Sequence, residues 1–355
     1  MTPILSNNYS VFFDDNLEAL KKFLEQSDYS KIFFLTDGNT SEYCMPILKK
    51  YLPDLDNYDL IEIDPGEENK NIDYCIGVWQ MLLDFGADRN SLLVNVGGGV
   101  VTDMGGFAAS TFKRGIDFVQ VPTTLLAQVD ASVGGKTGID LGNIKNIIGT
   151  FTQPKAVFIS TEFLASLGRR QLISGFAEIV KHGLIADAHY YHQLKEADPA
   201  NLPASVIYRS VQIKNEVVTA DPFEKGLRKI LNFGHTIGHA VETYSLKNDP
   251  NPLLHGEAVA VGMICESYLS FLHHGFRQTD LNDVILYIRS VFPDYVFGAD
   301  SYEEILRYMQ NDKKNVKNNI GFSLLDEIGK CRFNIYLEED RIIKSLDFYR
   351  ELVKK

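Results

Sequence analysis

Cysteine is scarce in this sequence and never paired. Cys44, Cys75, Cys265 and Cys331 lie far apart with no C-x-x-C spacing, which excludes a thiolate zinc cluster and a disulfide-stapled scaffold. Long hydrophobic runs are also missing, and no stretch approaches the roughly 18 apolar residues of a membrane span. The opening residues, MTPILSNNYS, lack the basic start and apolar run of a secretory leader, so a soluble protein of the reducing cytoplasm is expected. Positive charge is in deficit: 35 Lys and Arg against 47 Asp and Glu leave a net charge of -12. Nucleic acid and anionic membrane surfaces need a cationic footprint, so neither is expected as the main partner. Fixed-period repeats, low-complexity tracts and long linkers are absent as well.

What remains is 355 residues, 45% of them hydrophobic, enough for two domains that each bury a core. The first half alternates short β-branched or aromatic runs with helical patterns. IFFLT (Ile32–Thr36), DLIEI (Asp59–Ile63), SLLVNV (Ser91–Val96) and DFVQV (Asp117–Val121) read as strands, and Ile72–Phe85 repeats its apolar residues at helical spacing. That rhythm predicts βαβ units and a largely parallel sheet, an α/β domain. From about Thr161 helical patterns follow one another: Gln171–Ile185, Ala204–Thr219, Thr236–Tyr244, Gly256–Leu272 and Tyr302–Met309. A short extended pair near Phe322–Leu325 and Arg332–Tyr336 and a helix from about Glu339 complete the chain. The boundary is expected near residue 170, with residues 1–170 forming the α/β domain and residues 171–355 a mainly α-helical domain.

Two glycine clusters stand out. NVGGGVVTDMGG (Asn95–Gly106) follows an apolar strand and leads into a small-residue helix, where backbone N–H groups can meet a pyrophosphate. With Gly97 and Gly99 as the first two glycines of a dinucleotide fingerprint, Thr102 occupies the third place, so phosphate binding and a merely tight turn both stay open. DASVGGKTGIDLGNIKN (Asp130–Asn146) resembles a P-loop at Gly135–Thr137, but Asp130 stands where that spacing requires glycine. Lys136 and Lys145 remain candidate partners for anionic ligand groups.

A metal constellation comes next. LNFGHTIGHAVE places His235 and His239 four residues apart on one helical face, and LLHGEAVAVGM adds His255. SGFAEIVKHG offers Glu178 as a carboxylate ligand, with Lys181 and His182 beside it. A mixed carboxylate and imidazole set suits zinc with one position left open for a substrate oxygen. The bland alternatives are histidines satisfied at helix ends and a glutamate on a solvated helix face.

Taken together and in this order, GGGVVTDMGGFAASTFKRG, VPTTLLAQVDASVGGKTGID, SGFAEIVKHG, NFGHTIGHAVE and HGEAVAVGM resemble the 3-dehydroquinate synthase family, over about Asp64 to Lys314. The resemblance implies a Rossmann-like NAD-binding domain followed by a helical metal-bearing domain. It assigns zinc to Glu178, His235 and His255 and moves His239 to the substrate side. Cobalt would accept the same ligand set. NAD contacts would come from Asp64, Gly66, Glu67 and Lys70, from Gly98, Gly99, Val100 and Asp103, from Thr123 and Thr124, from Lys136 and Lys145, and from Phe163 and Ser166. The phosphorylated substrate would meet Arg114, Asp130, Lys136, Asn146, Lys181, Lys214, Glu224, Arg228, Asn232 and His239, with Lys313 or Lys314 near the end.

The sequence departs from the family pattern at Thr102, where glycine is frequent, and at LGRRQL (Leu167–Leu172), which replaces a proline-containing turn. The implied reaction turns 3-deoxy-D-arabino-heptulosonate 7-phosphate into 3-dehydroquinate and phosphate in aromatic amino acid biosynthesis, and the implied assembly is a homodimer. Competing expectations are another sugar-phosphate cyclase acting on a substrate without a carboxylate, a metal-dependent polyol dehydrogenase, and a non-catalytic nucleotide-binding protein.

Overall fold

The computed structural model describes residues 1–53, 57–142, 144–310 and 320–354. The chain divides into two compact units, Met1–Gly168 with Ile207–Pro222, and Arg169–Val206 with Phe223–Lys355.

In chain order the first unit holds β1 (Ile4–Leu5), β2 (Ser10–Phe13), α1 (Glu18–Glu25), β3 (Ile32–Asp37), α2 (Gly38–Tyr43), α3 (Met45–Tyr51), β4 (Asp59–Ile63), α4 (Ile72–Asp84), β5 (Leu92–Gly97), α5 (Gly99–Thr111), β6 (Asp117–Pro122), β7 (Lys136–Leu141), β8 (Ile144–Phe151) and β9 (Ala156–Ile159). Seven strands make one sheet in the order β1-β2-β9-β6-β5-β3-β4, parallel throughout except for the β1–β2 pair. Its inner strands read as nearly continuous apolar runs, interrupted by the buried Thr36, Asn95 and Gln120, because helices cover both faces. β5 is buried at every position. Alternate residues face opposite cores: Phe33, Leu35 and Leu93 pack with Val78, Val101 and Met104 on one side, while Phe34, Leu92, Val94 and Val96 pack with Leu20, Met45 and Leu48 on the other. The lysine-bearing glycine cluster forms the separate antiparallel pair β7–β8.

The second unit begins with α6 (Arg169–Ala186) and α7 (Ala188–Leu194), after which α8 (Ala204–Ala220) crosses into the first unit. The α8 stretch from Ile207 lies on the helical side of the boundary read from sequence, yet side-chain contacts bind it to the first unit. Lys214 Nζ lies 2.6 Å from Asp130 Oδ1, Asn215 Nδ2 donates to Leu5 O at 2.9 Å, and Tyr208 meets Phe13 edge to face. The second unit resumes with α9 (His235–Asn248), α10 (His255–His274), α11 (Gln278–Val291) and α12 (Tyr302–Gln310). The antiparallel pair β10 (Ile320–Glu327) and β11 (Lys330–Leu337) and the helix α13 (Glu339–Val353) follow. Most residues of α10 from Gly256 to Ser270 are buried, as expected of a largely apolar helix, with Glu257 and Glu266 the buried charged exceptions. No described helix is long and apolar enough to cross a membrane.

Candidate active site

In the first unit the chain leaves each of four parallel strands at the same edge of the sheet, and the residues with cofactor assignments follow directly. Asp64, Gly66, Glu67 and Lys70 come after β4, Gly98–Val100 and Asp103 after β5, Thr123 and Thr124 after β6, and Phe163 and Ser166 after β9. Open α/β sheets bind ligands outside the carboxyl ends of their strands, where connections diverge to either side. Here β3 leads outward to β4, and β5 leads the other way to β6. Gly98 is the N-cap of α5 and has no side chain to occupy the first-turn N–H groups, so they are disposed toward an anion. The Phe163 ring is buried in the core, which leaves its backbone for contact.

A charge network runs beside this edge. Lys70 Nζ lies 2.6 Å from Asp103 Oδ2, and Lys145 Nζ lies 3.4 Å from Glu67 Oε1. Burial pushes the Asp103 carboxyl up, and Lys70 opposes it only in part. Burial would lower Lys70, but Asp103 and then Glu67 outweigh it and hold the ammonium above its ordinary value. The Lys70 carbonyl accepts from Asp140 N at 2.8 Å, and Asp140 Oδ1 accepts from Asn146 N at 2.7 Å. The backbone thus links a residue assigned to the cofactor with one assigned to substrate. Asp130 lies on a single π-helical turn, Ala127–Ala131, a distortion common at functional sites, and receives Lys214. Lys136 opens β7, and Arg114 is exposed with a left-handed backbone (φ 71) just beyond α5.

In the second unit three elements converge. α6 carries Glu178, α9 opens with His235 and α10 opens with His255. Glu178 Oε1 lies 3.3 Å from His235 Nε2 and 3.5 Å from His255 Nε2. Four ligands around zinc at tetrahedral angles sit about 3.3 Å from one another, so these separations fit donors sharing one ion. The carboxylate is completely buried, and Oε1 makes no hydrogen bond of good geometry, although an unpaired buried carboxylate oxygen is costly. A metal ion would satisfy it.

The donor chemistry agrees. Burial pushes the Glu178 carboxyl up, but Lys181, which donates to Oε2, and then His235 outweigh it and hold the group well below the usual carboxylate range. Burial, reinforced by Lys181, lowers His235 toward the neutral form a metal requires. His255 is pushed up to about 10 because Glu242 and Glu178 together outweigh its burial. Two carboxylates facing one imidazole favour a cation there, proton or metal.

The far nitrogens of both rings are held too. His235 Nδ1 lies 3.1 Å from Phe233 O, and His255 Nδ1 lies 3.3 Å from Glu242 Oε2, the outer contacts that orient metal-bound imidazoles. His239 keeps a ring nitrogen within 4.8 Å of those of His235 and His255, so the fold brings all three histidines together. Sequence reasoning passed over Glu242, although it lies three residues after His239 on the same helical face. It also missed Glu266, which caps the start of α9 by accepting from Gly234 N at 2.7 Å and Ile237 N at 3.1 Å. Of the remaining substrate candidates, Asn232 Nδ2 donates to Glu224 Oε1 at 2.7 Å, and Arg228 is buried on the turn Leu227–Asn232. Lys313 and Lys314 lie outside the described residues.

Residues 60–174 match the family described as 3-dehydroquinate synthase N-terminal, and residues 175–315 match 3-dehydroquinate synthase C-terminal. A 3-dehydroquinate synthase of Parabacteroides distasonis is 43% identical over 351 residues, covering 98% of this chain and 99% of its own. Among solved structures, 2-deoxy-scyllo-inosose synthase complexed with carbaglucose-6-phosphate, NAD+ and Co2+ superposes with a TM-score of 0.86 at 25% identity, over 99% of both chains. The 2-epi-5-epi-valiolone synthase of Streptomyces hygroscopicus, with NAD+ and Zn2+ bound, gives 0.85 at 26% identity, also over 99% of both. A whole-length relative and two adjoining domain matches leave one conclusion: the chain is an enzyme that belongs to the 3-dehydroquinate synthase family.

Proposed function

We propose that this enzyme converts 3-deoxy-D-arabino-heptulosonate 7-phosphate into 3-dehydroquinate and phosphate. The substrate undergoes transient oxidation at C5, β-elimination of phosphate, re-reduction, ring opening and intramolecular aldol closure, with no net redox change. The observation that carries the reading is the convergence of Glu178 Oε1 on the Nε2 atoms of His235 and His255 at 3.3 and 3.5 Å. When bound, NAD would supply a reversible hydride acceptor, and zinc or cobalt would supply Lewis-acid polarisation of the C5 oxygen.

The chain's own residues do the remainder. Glu178, His235 and His255 would hold the metal. Asp64, Gly66, Glu67, Gly98–Val100, Asp103, Thr123 and Thr124 would seat the dinucleotide, with Lys70 and Lys145 setting the charge around it. Lys136, Asn146, Lys181, Arg114 and His239 would hold the phosphate, whose own oxygen can take the C6 proton. Lys214 and Arg228 would receive the C1 carboxylate, and Asp130, Glu224 and Asn232 would orient these groups. Arginine suits the carboxylate end because its planar fork can bind two oxygens at once. The acidic protein would thus concentrate its cations where a substrate with two anionic groups binds.

The two solved synthases are named for other products, and their identity to this chain is 25–26%, against 43% for the dehydroquinate synthase. A cytoplasmic homodimer belongs to the same proposal: the scattered cysteines support the compartment, and the resemblance alone carries the dimer. The deciding assay supplies the heptulosonate phosphate, NAD+ and Zn2+ and follows phosphate, dehydroquinate and the absorbance of NADH. Phosphate release without accumulating NADH, abolished by a chelator, is expected. Stoichiometric NADH would indicate a dehydrogenase, and turnover only of a substrate lacking the carboxylate would indicate a different cyclase.

A further inference from the structure

Arg170, Ser174 and Glu178 are spaced four residues apart on α6 and so form one stripe about 12 Å long. The stripe meets three consecutive residues at the start of α10. Arg170 Nε and Nη2 donate to Glu257 Oε1 and Oε2, both at 2.7 Å. Ser174 Oγ accepts from Gly256 N at 3.0 Å, and Glu178 Oε1 faces His255 Nε2 at 3.5 Å. The middle contact is as close as a backbone permits, since a Cβ on Gly256 would stand 1.9 Å from the Ser174 carbonyl oxygen. Each turn along α6 from Arg170 therefore steps one residue back along α10, from the ion pair to the candidate metal ligands.

Arg170 also grips the segment leading into α10. Its Nη2 donates to Pro252 O at 2.7 Å and its Nη1 to Asn251 Oδ1 at 3.2 Å. Glu257 Oε2 in turn accepts from Leu254 N at 2.8 Å, which closes the first turn of the helix around His255. At the other end of the same segment, Asp249 Oδ2 receives Tyr295 Oη at 2.6 Å and Ser245 Oγ at 2.7 Å.

We propose that Arg170 is a positioning residue for the metal centre: through its two-pronged bond to Glu257 it sets the register of α10 against α6, and with it the placement of His255 against Glu178. The inference rests on the reading of Glu178, His235 and His255 as metal ligands. A lysine could reach Glu257 with one ammonium but could not hold both oxygens and two further acceptors in a plane. The contact lies away from the ligand atoms, so Arg170 acts only through what it holds.

The test measures zinc affinity of the purified protein by competition with a chromophoric chelator, alongside melting temperatures with and without zinc. Arg170→Ala should weaken zinc binding about tenfold to a hundredfold, the range for residues that orient metal ligands, with Arg170→Lys in between. The rise in melting temperature caused by zinc should shrink in step. Wild-type zinc affinity in Arg170→Ala, even with a lower melting temperature of the metal-free form, would show a plain structural clamp and overturn the proposal. If Arg170→Ala does not fold, Arg170→Lys decides: affinity several-fold below wild type supports the proposal, and equality overturns it. A wild-type protein that binds no zinc, or a His255→Ala variant that keeps wild-type affinity, would instead bring down the metal reading itself.

Discussion

Gly262 lies inside α10, where alanine is ordinarily the better residue by about 1 kcal/mol. Propensity alone predicts that Gly262→Ala stabilises the protein. The packing predicts the reverse. A Cβ at this position would stand 1.9 Å from the Gly234 carbonyl oxygen and 2.8 Å from Gly238 N, against the roughly 3.5 Å of ordinary van der Waals contact. The methyl would strike the first turn of α9, where Gly238 N donates to Gly234 O at 3.1 Å. Relief requires α9 and α10 to separate by roughly 1.5 Å, and overpacking of this kind costs about 1–3 kcal/mol or more, enough to erase the propensity gain. Gly234 immediately precedes His235, so the same shift would carry that imidazole out of a donor set that tolerates about 0.2 Å.

We therefore expect Gly262→Ala to lower the urea midpoint and to lose zinc in chelator competition. Gly77→Ala is the control. Gly77 is exposed on α4, and a methyl added there would meet nothing within 4 Å, so that variant should be stabilised by up to about 1 kcal/mol with its zinc retained. A Gly262→Ala protein as stable as Gly77→Ala, with full zinc affinity, would refute the close-packing argument.

Other outcomes follow from the same geometry. His235→Ala should lose metal and activity together, and a full metal complement by elemental measurement would remove His235 from the ligand set. Glu242→Gln should weaken zinc binding about tenfold or more without unfolding the protein, because His255 would lose the carboxylate facing Nδ1; unchanged affinity would make Glu242 a bystander. Asp103→Ala should cost about 3 kcal/mol in urea unfolding, since it leaves the nearly inaccessible Lys70 ammonium without its partner; a loss below about 1 kcal/mol would contradict the pairing. Arg228→Ala should raise the KM for the heptulosonate phosphate far more than it lowers kcat, and an unchanged KM would remove Arg228 from the carboxylate end.

Local pattern carried much of the architecture. The strands at Asp59–Ile63 and Asp117–Pro122 and the helices at Ile72–Asp84 and Tyr302–Gln310 lie within a residue of where periodicity put them, because burial of one face imposes its repeat on the sequence. The β7–β8 pair was less visible. Its glycines and lysines obscure strand alternation, and β8 is exposed or half-buried at every position, so no apolar face announced it.

The sequence by itself determined the α/β-then-helical order and, through motifs in their sequence order, the family. It supplied Glu178, His235, His239 and His255 as metal-site candidates; spacing could not rank them, since residues four apart on a helix share a face whichever of them binds, and only the family resemblance set His239 apart. Only tertiary packing decided that Glu178 Oε1, far from both histidines in the chain, lies between two imidazole nitrogens. Packing likewise set Glu242 behind His255, Arg170 against Glu257 and the end of α8 against the first unit. Such contacts depend on the crossing of helices, and helices cross where glycines let backbones touch and buried charges find partners. Neither condition leaves a periodic trace in the sequence.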